Sequence, residues 1–153
     1  MEAASAAVPV EGRRGVLISP TWLVVCGIGA VIAIVGLFLK AFNLPGDLTY
    51  PGTNSVWSAT TSGKVVLAFI VLTVVFLARA IHKHRQGYLR GAYITAFIAL
   101  GWAVAAAAAG FTVTTTTGRT VDLDAAIGPV VMSVGCAIMF ASLLIARFTE
   151  KRS

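Results

Sequence analysis

The sequence predicts an all-α integral membrane protein: a four-transmembrane-helix bundle with both termini cytoplasmic and a small irregular or β-containing outer cap. Three observations carry this. The 153 residues are 58% hydrophobic and only 12% charged, against about 25% charged in an ordinary soluble domain. So little polar surface cannot cover that much apolar side chain. The charges fall between four long uncharged runs, and they fall unequally on the two sides of those runs.

The stretch Arg79 to Arg90, Arg-Ala-Ile-His-Lys-His-Arg-Gln-Gly-Tyr-Leu-Arg, sets the orientation. It holds four of the twelve Lys and Arg residues and both histidines. With this hinge in the cytoplasm, that side carries Arg13, Arg14, Arg79, Lys83, Arg85, Arg90, Arg147, Lys151 and Arg152. The other side carries Lys40, Lys64 and Arg119. Every connection is short enough for the positive-inside rule to hold. The expected location is the cell (inner or plasma) membrane, crossed several times. The net charge of +6 invites nucleic acid, but that partner needs cations gathered on one folded surface, and none is expected.

Residues 1–15 show neither helical nor strand periodicity and are expected to be a disordered cytoplasmic tail. From Gly15 to Leu39 run 25 uncharged residues. A signal-peptide apolar region is about 7–15 residues long, and Leu39-Lys40-Ala41-Phe42 is a poor cleavage site, so the segment is expected to remain. Ser19-Pro20 reads as an N-cap followed by the first helical position. A helix over 20–39 would be roughly 30 Å long, the thickness of a bilayer core. Cys26, Gly29, Ala33 and Gly36 share one face of it. In lipid, such small residues mark where another helix approaches closely.

Residues 40–63 form a loop with turn signals at Pro45-Gly46 and Pro51-Gly52. Tyr50 and Trp57 are expected to anchor it at the outer headgroup level. The second span covers about 62–81, with Lys64 and Arg79 snorkelling from its two ends. The third covers about 91–112, its helical pattern weakening near Gly110, and Ala105 to Ala109 give it a smooth face. Phe111 to Thr117 is a β-branched run that favours extended backbone. Residues 112–122 therefore read either as a hairpin turning at Gly118 or as further helix whose threonines bond back to it. The fourth span covers about 125–146. Asp122 or Asp124 is expected to cap it, and Pro129 to kink its first turn. Gly128, Gly135 and Ser142 form a second small-residue seam. Residues 16–147 thus make one transmembrane domain, and 148–153 a basic cytoplasmic tail.

No ionisable residue lies deep in a span, where ion-moving proteins keep one. This argues against a small cation exporter with an acid in its first span, and against haem held by intramembrane histidines. His82 and His84 would point apart on a helix, and two ligands make a poor metal site. Neither a metal nor another cofactor is expected. Cys26 and Cys136, on different helices, read as packing residues and not as a disulfide. Gly-x-Ser-x-Gly, His-Glu-x-x-His and the phosphate-binding Gly-x-x-x-x-Gly-Lys-Ser/Thr are absent, so no catalytic residue is assigned. The expected role is a non-catalytic accessory, assembly or interaction subunit of a larger membrane complex. One alternative is an oligomeric small-solute transporter, pore or holin-like permeabiliser lined by Thr73, Thr95, Ser133 and Ser142. Another is a membrane enzyme using the outer-face acids Asp122 and Asp124. The expected partners are other membrane subunits or further copies, and anionic lipid against Arg79, Lys83, Arg85 and Arg90 at about 1 kcal/mol per cation.

Overall fold

The computed structural model describes residues 20–44, 46, 54–83 and 86–150. The expected tail at 1–15, Tyr50, Arg85 and residues 151–153 lie outside that range. The elements are α1 (Pro20–Phe38), α2 (Val56–Ala59), α3 (Thr61–Lys83), α4 (Gln86–Ala109), β1 (Phe111–Thr114), β2 (Thr120–Leu123) and α5 (Ile127–Glu150). Among them α1, α3, α4 and α5 are long and apolar enough to cross a membrane.

Three of these helices outrun the spans read from uncharged residues. α3 continues to Lys83 and α4 already begins at Gln86, so the Arg79–Arg90 stretch is mostly helix and not a loop. Arg and Lys are good helix formers, and nothing about a charge at the membrane boundary requires the backbone to unwind. With 23 and 24 residues, α3 and α4 are about 35 Å long, roughly a turn more than a bilayer core. α5 likewise carries on to Glu150, into the residues expected as a tail.

α4 instead stops short of residue 112. Gly110 takes φ +68°, the left-handed cap that ends helices, and the β-branched run enters β1. β1 and β2 pair antiparallel with Phe111 opposite Leu123 and Thr114 opposite Thr120. Gly118, at φ +78°, turns the chain between them. Residues 112–122 are therefore a hairpin, not more helix.

α5 starts at Ile127, two residues later than the apolar run suggested. That places Pro129 in the first turn, where a helix has no use for the missing N–H. The expected capping by an acid is overturned too. Ala126 N–H donates to the Ala41 carbonyl (2.9 Å) and Gly128 N–H to the Lys40 carbonyl (2.9 Å). Backbone from the first loop satisfies donors that a side chain was expected to meet.

α1 packs on α5, α5 on α4 and α4 on α3, while α1 and α3 touch lightly, with Leu37 against Gly63. α4 turns Ala92, Ala96, Ala99 and Ala103 inward, and α5 turns Met132, Cys136, Met139 and Leu143 inward. Away from this core the helices expose large apolar side chains, among them Val24, Ile28, Val31 and Val35 on α1 and Val71, Leu72, Val74 and Val75 on α3. Such continuous faces exceed what a water-soluble monomer exposes, and helices apolar on every side suit hydrocarbon.

One end of the bundle carries a cap. Residues 40–42 run between Ser55 and Ala125, pairing Lys40 with Ser55 and Phe42 with Ala125. Asn54 Nδ2 donates to the Phe42 carbonyl (2.8 Å), and the Phe42 and Phe111 rings lie 6.0 Å apart. A lone two-stranded hairpin is marginal in water. Here it is docked on the first loop and on the helix ends.

Candidate functional site

The small residues of α1 and α5 face each other. A Cβ built on Gly29 would stand 2.7 Å from the Met139 nitrogen and 2.8 Å from the Gly135 carbonyl oxygen. One on Gly36 would stand 2.5 Å from the Met132 nitrogen, and one on Gly128 2.5 Å from the Lys40 carbonyl oxygen. A Cβ on Gly135 would run into the Ala33 backbone nitrogen. Backbone therefore meets backbone, the arrangement that gives closest packing where no hydrophobic effect draws helices together. Ala33 is fully buried between them. Cys26 and Cys136 are both free and buried. The two seams are used on one another, inside the chain.

The hydroxyls within the spans are bonded to their own helices. Thr73 Oγ1 donates to the Phe69 carbonyl (2.8 Å), Ser133 Oγ to Pro129 (2.8 Å) and Ser142 Oγ to Met139 (2.7 Å). Thr95 Oγ1 lies 3.0 Å from the Gly91 and Ala92 carbonyls and 2.8 Å from Thr73 Oγ1, joining α3 to α4. Thr73 and Thr95 thus tie α3 to α4, while Ser133 and Ser142 bond within α5.

At the capped end, the last turn of α4, Gly110 and the hairpin border a shallow open cleft that includes Asp122 and Asp124. Both acids are exposed, and Thr112 Oγ1 donates to Asp122 Oδ1 at 2.7 Å. A carboxylate pair divides acid and base work only when the two environments differ, and these two both face solvent. Among the described residues, no three His, Cys, Asp or Glu side chains come together as a metal site requires. Trp57, on α2, is partly exposed, and Lys64 Nζ lies 5.9 Å from its ring centre.

The opposite end is basic. Arg79, His82 and Lys83 are exposed on the last turns of α3, Arg90 near the start of α4 and Arg147 near the end of α5. Arg147 reaches across to α4, its guanidinium carbon 5.7 Å from the centre of the Tyr93 ring. Tyr93 in turn lies 5.0 Å from Phe140, and Phe140 5.6 Å from Phe97. Nothing in the sequence marks this contact, since Tyr93 and Arg147 belong to helices whose pairing no local pattern reveals. Compared with known proteins, the chain matches no family, no curated protein and no solved structure.

Proposed function

We propose that the chain is a four-span integral membrane protein of the cell membrane that serves as an accessory, assembly or interaction subunit of a larger membrane complex. The observation that carries this is the outward face of α4. Gly101, Ala105 and Ala108 are exposed there, and a Cβ on Gly101 would meet nothing within 4 Å. α1 and α5 use their own seams on each other, whereas this smooth strip on α4 is open to another helix. The bonding of Thr73, Thr95, Ser133 and Ser142 to helix carbonyls favours this role over the alternative of an oligomeric transporter, pore or holin-like permeabiliser. Exposure of both cap acids favours it over an enzyme.

Under mild detergent the chain should co-purify with a larger membrane partner. Ala105→Phe should release that partner, whereas Val31→Phe on the outer face of α1 should keep it. Migration of the unaltered chain as a lone monomer at native abundance would overturn the proposal.

We place the cap outside and the basic end in the cytoplasm, where Arg79, Lys83, Arg85 and Arg90 meet anionic lipid. Single cysteines test this cleanly, because Cys26 and Cys136 are buried. Thr120→Cys should react with an impermeant thiol reagent in sealed cells, and Gly87→Cys only after permeabilisation. The opposite pattern would invert the assignment.

A further inference from the structure

The geometry points to a specific anionic-phospholipid site on the α4–α5 face at the basic end. Arg90 and Arg147 hold the lipid phosphate, and one acyl chain lies along Phe97 and Phe140. This rests on the membrane embedding proposed above. Arg147 is held over the Tyr93 ring at 5.7 Å, a contact that positions a guanidinium without neutralising it and leaves its N–H groups for an oxyanion. Arg90 precedes Tyr93 by three residues on α4, so the two share a face. Arg147 thus sits over the ring from α5, and Arg90 stands one turn from it on α4.

From that ring an apolar path descends along the bundle. Tyr93, Phe140 and Phe97 are in succession 5.0 Å and 5.6 Å apart, and Phe97 is 59% exposed. Asp122 and Asp124 lie beyond α4 and before α5, at the capped end, away from the arginines. An acidic peptide would be drawn by the charge alone. A phosphate with an apolar chain beneath it satisfies both the charge and the aromatic path.

The test is native mass spectrometry of the purified full chain with phosphatidylglycerol or with phosphatidylcholine of the same acyl chains. Phosphatidylglycerol should be retained in preference. Arg147→Gln and Arg90→Gln should each weaken retention about fivefold, the effect of one cation at an anionic surface. Phe97→Ala should weaken it with the charge unchanged, and Arg119→Gln, in the hairpin at the capped end, should leave it intact. All four side chains are exposed, so these changes spare the fold. Equal retention of the two lipids would overturn the site, as would an equal loss on changing Arg119. Displacement of bound lipid by a polyglutamate peptide with no dependence on Phe97 would assign the patch to an acidic protein and overturn it as well. Reversed cysteine labelling with phosphatidylglycerol preference intact would sink the orientation alone. Lost preference with the expected labelling would sink this site alone.

Discussion

Replacing Gly135 with alanine is expected to weaken the association of α1 with α5 by about 3 kcal/mol, the upper part of the range for overpacked sites. The added methyl would face the Ala33 nitrogen, the Gly29 carbonyl oxygen at 2.6 Å and the Ala33 Cα at 2.7 Å. None of these is the end of a flexible side chain. The helices must move apart, and separation at Gly135 also loosens the contacts at Gly29 and Gly36. Resistance to unfolding by a denaturing detergent reads the effect. Gly27→Ala supplies the comparison, because a Cβ there meets nothing within 4 Å. That change should be neutral or slightly stabilising, alanine being the better helix former. Equal behaviour of the two variants would mean that the α1–α5 contact does not hold the fold together.

Gly110→Ala is expected to cost a similar amount, about 3 kcal/mol, for two separate reasons. The residue sits at φ +68°, which costs an L-residue roughly 1–2 kcal/mol. Its Cβ would also stand 2.6 Å from the Leu123 carbonyl oxygen, adding an overpacking term of about 1–3 kcal/mol. The readout is the hairpin itself: limited proteolysis should cut between Thr112 and Asp122 in the variant and not in the parent. Gly118→Ala separates the two causes. Gly118 is also left-handed, at φ +78°, but a Cβ there has open space, so only the conformational cost of about 1 kcal/mol applies. If both variants resist protease equally, Gly110 is not the point on which the cap is hung.

Much of this was legible in the sequence because it is local. Uncharged runs mark the four long helices, and the spacing of Cys26, Gly29, Ala33 and Gly36 follows the helical repeat; the cap expected at Ser19 lies outside the described residues. The hairpin was half legible: Gly110, Gly118 and the threonine run all allowed it, yet threonine also tolerates a helix in lipid. What stayed hidden depends on partners far apart in the chain. No residue type announces that the Lys40 and Ala41 carbonyls will receive the first donors of α5, because a carbonyl has no side-chain signature. Nor could two small-residue faces say whether they would meet each other or another protein. Helix ends were misread for a different reason. Counting uncharged residues measures the apolar run, while α3, α4 and α5 continue past it on charged residues that favour helix.

The pairing of α1 with α5 has a consequence for biosynthesis. The two helices that meet most closely are the first and last of the four long helices to be made, with α3, α4 and the hairpin between them. At about 5–20 residues per second, α1 waits for several seconds with its glycine groove empty. The residues that cap α5, at 40 and 41, are also in place well before α5 exists. Closure of the bundle is therefore a final event, timed by the emergence of the fourth long helix. A ribosome that stalls after the hairpin leaves a chain whose α1 glycine groove is uncovered, a structural mark of incompleteness.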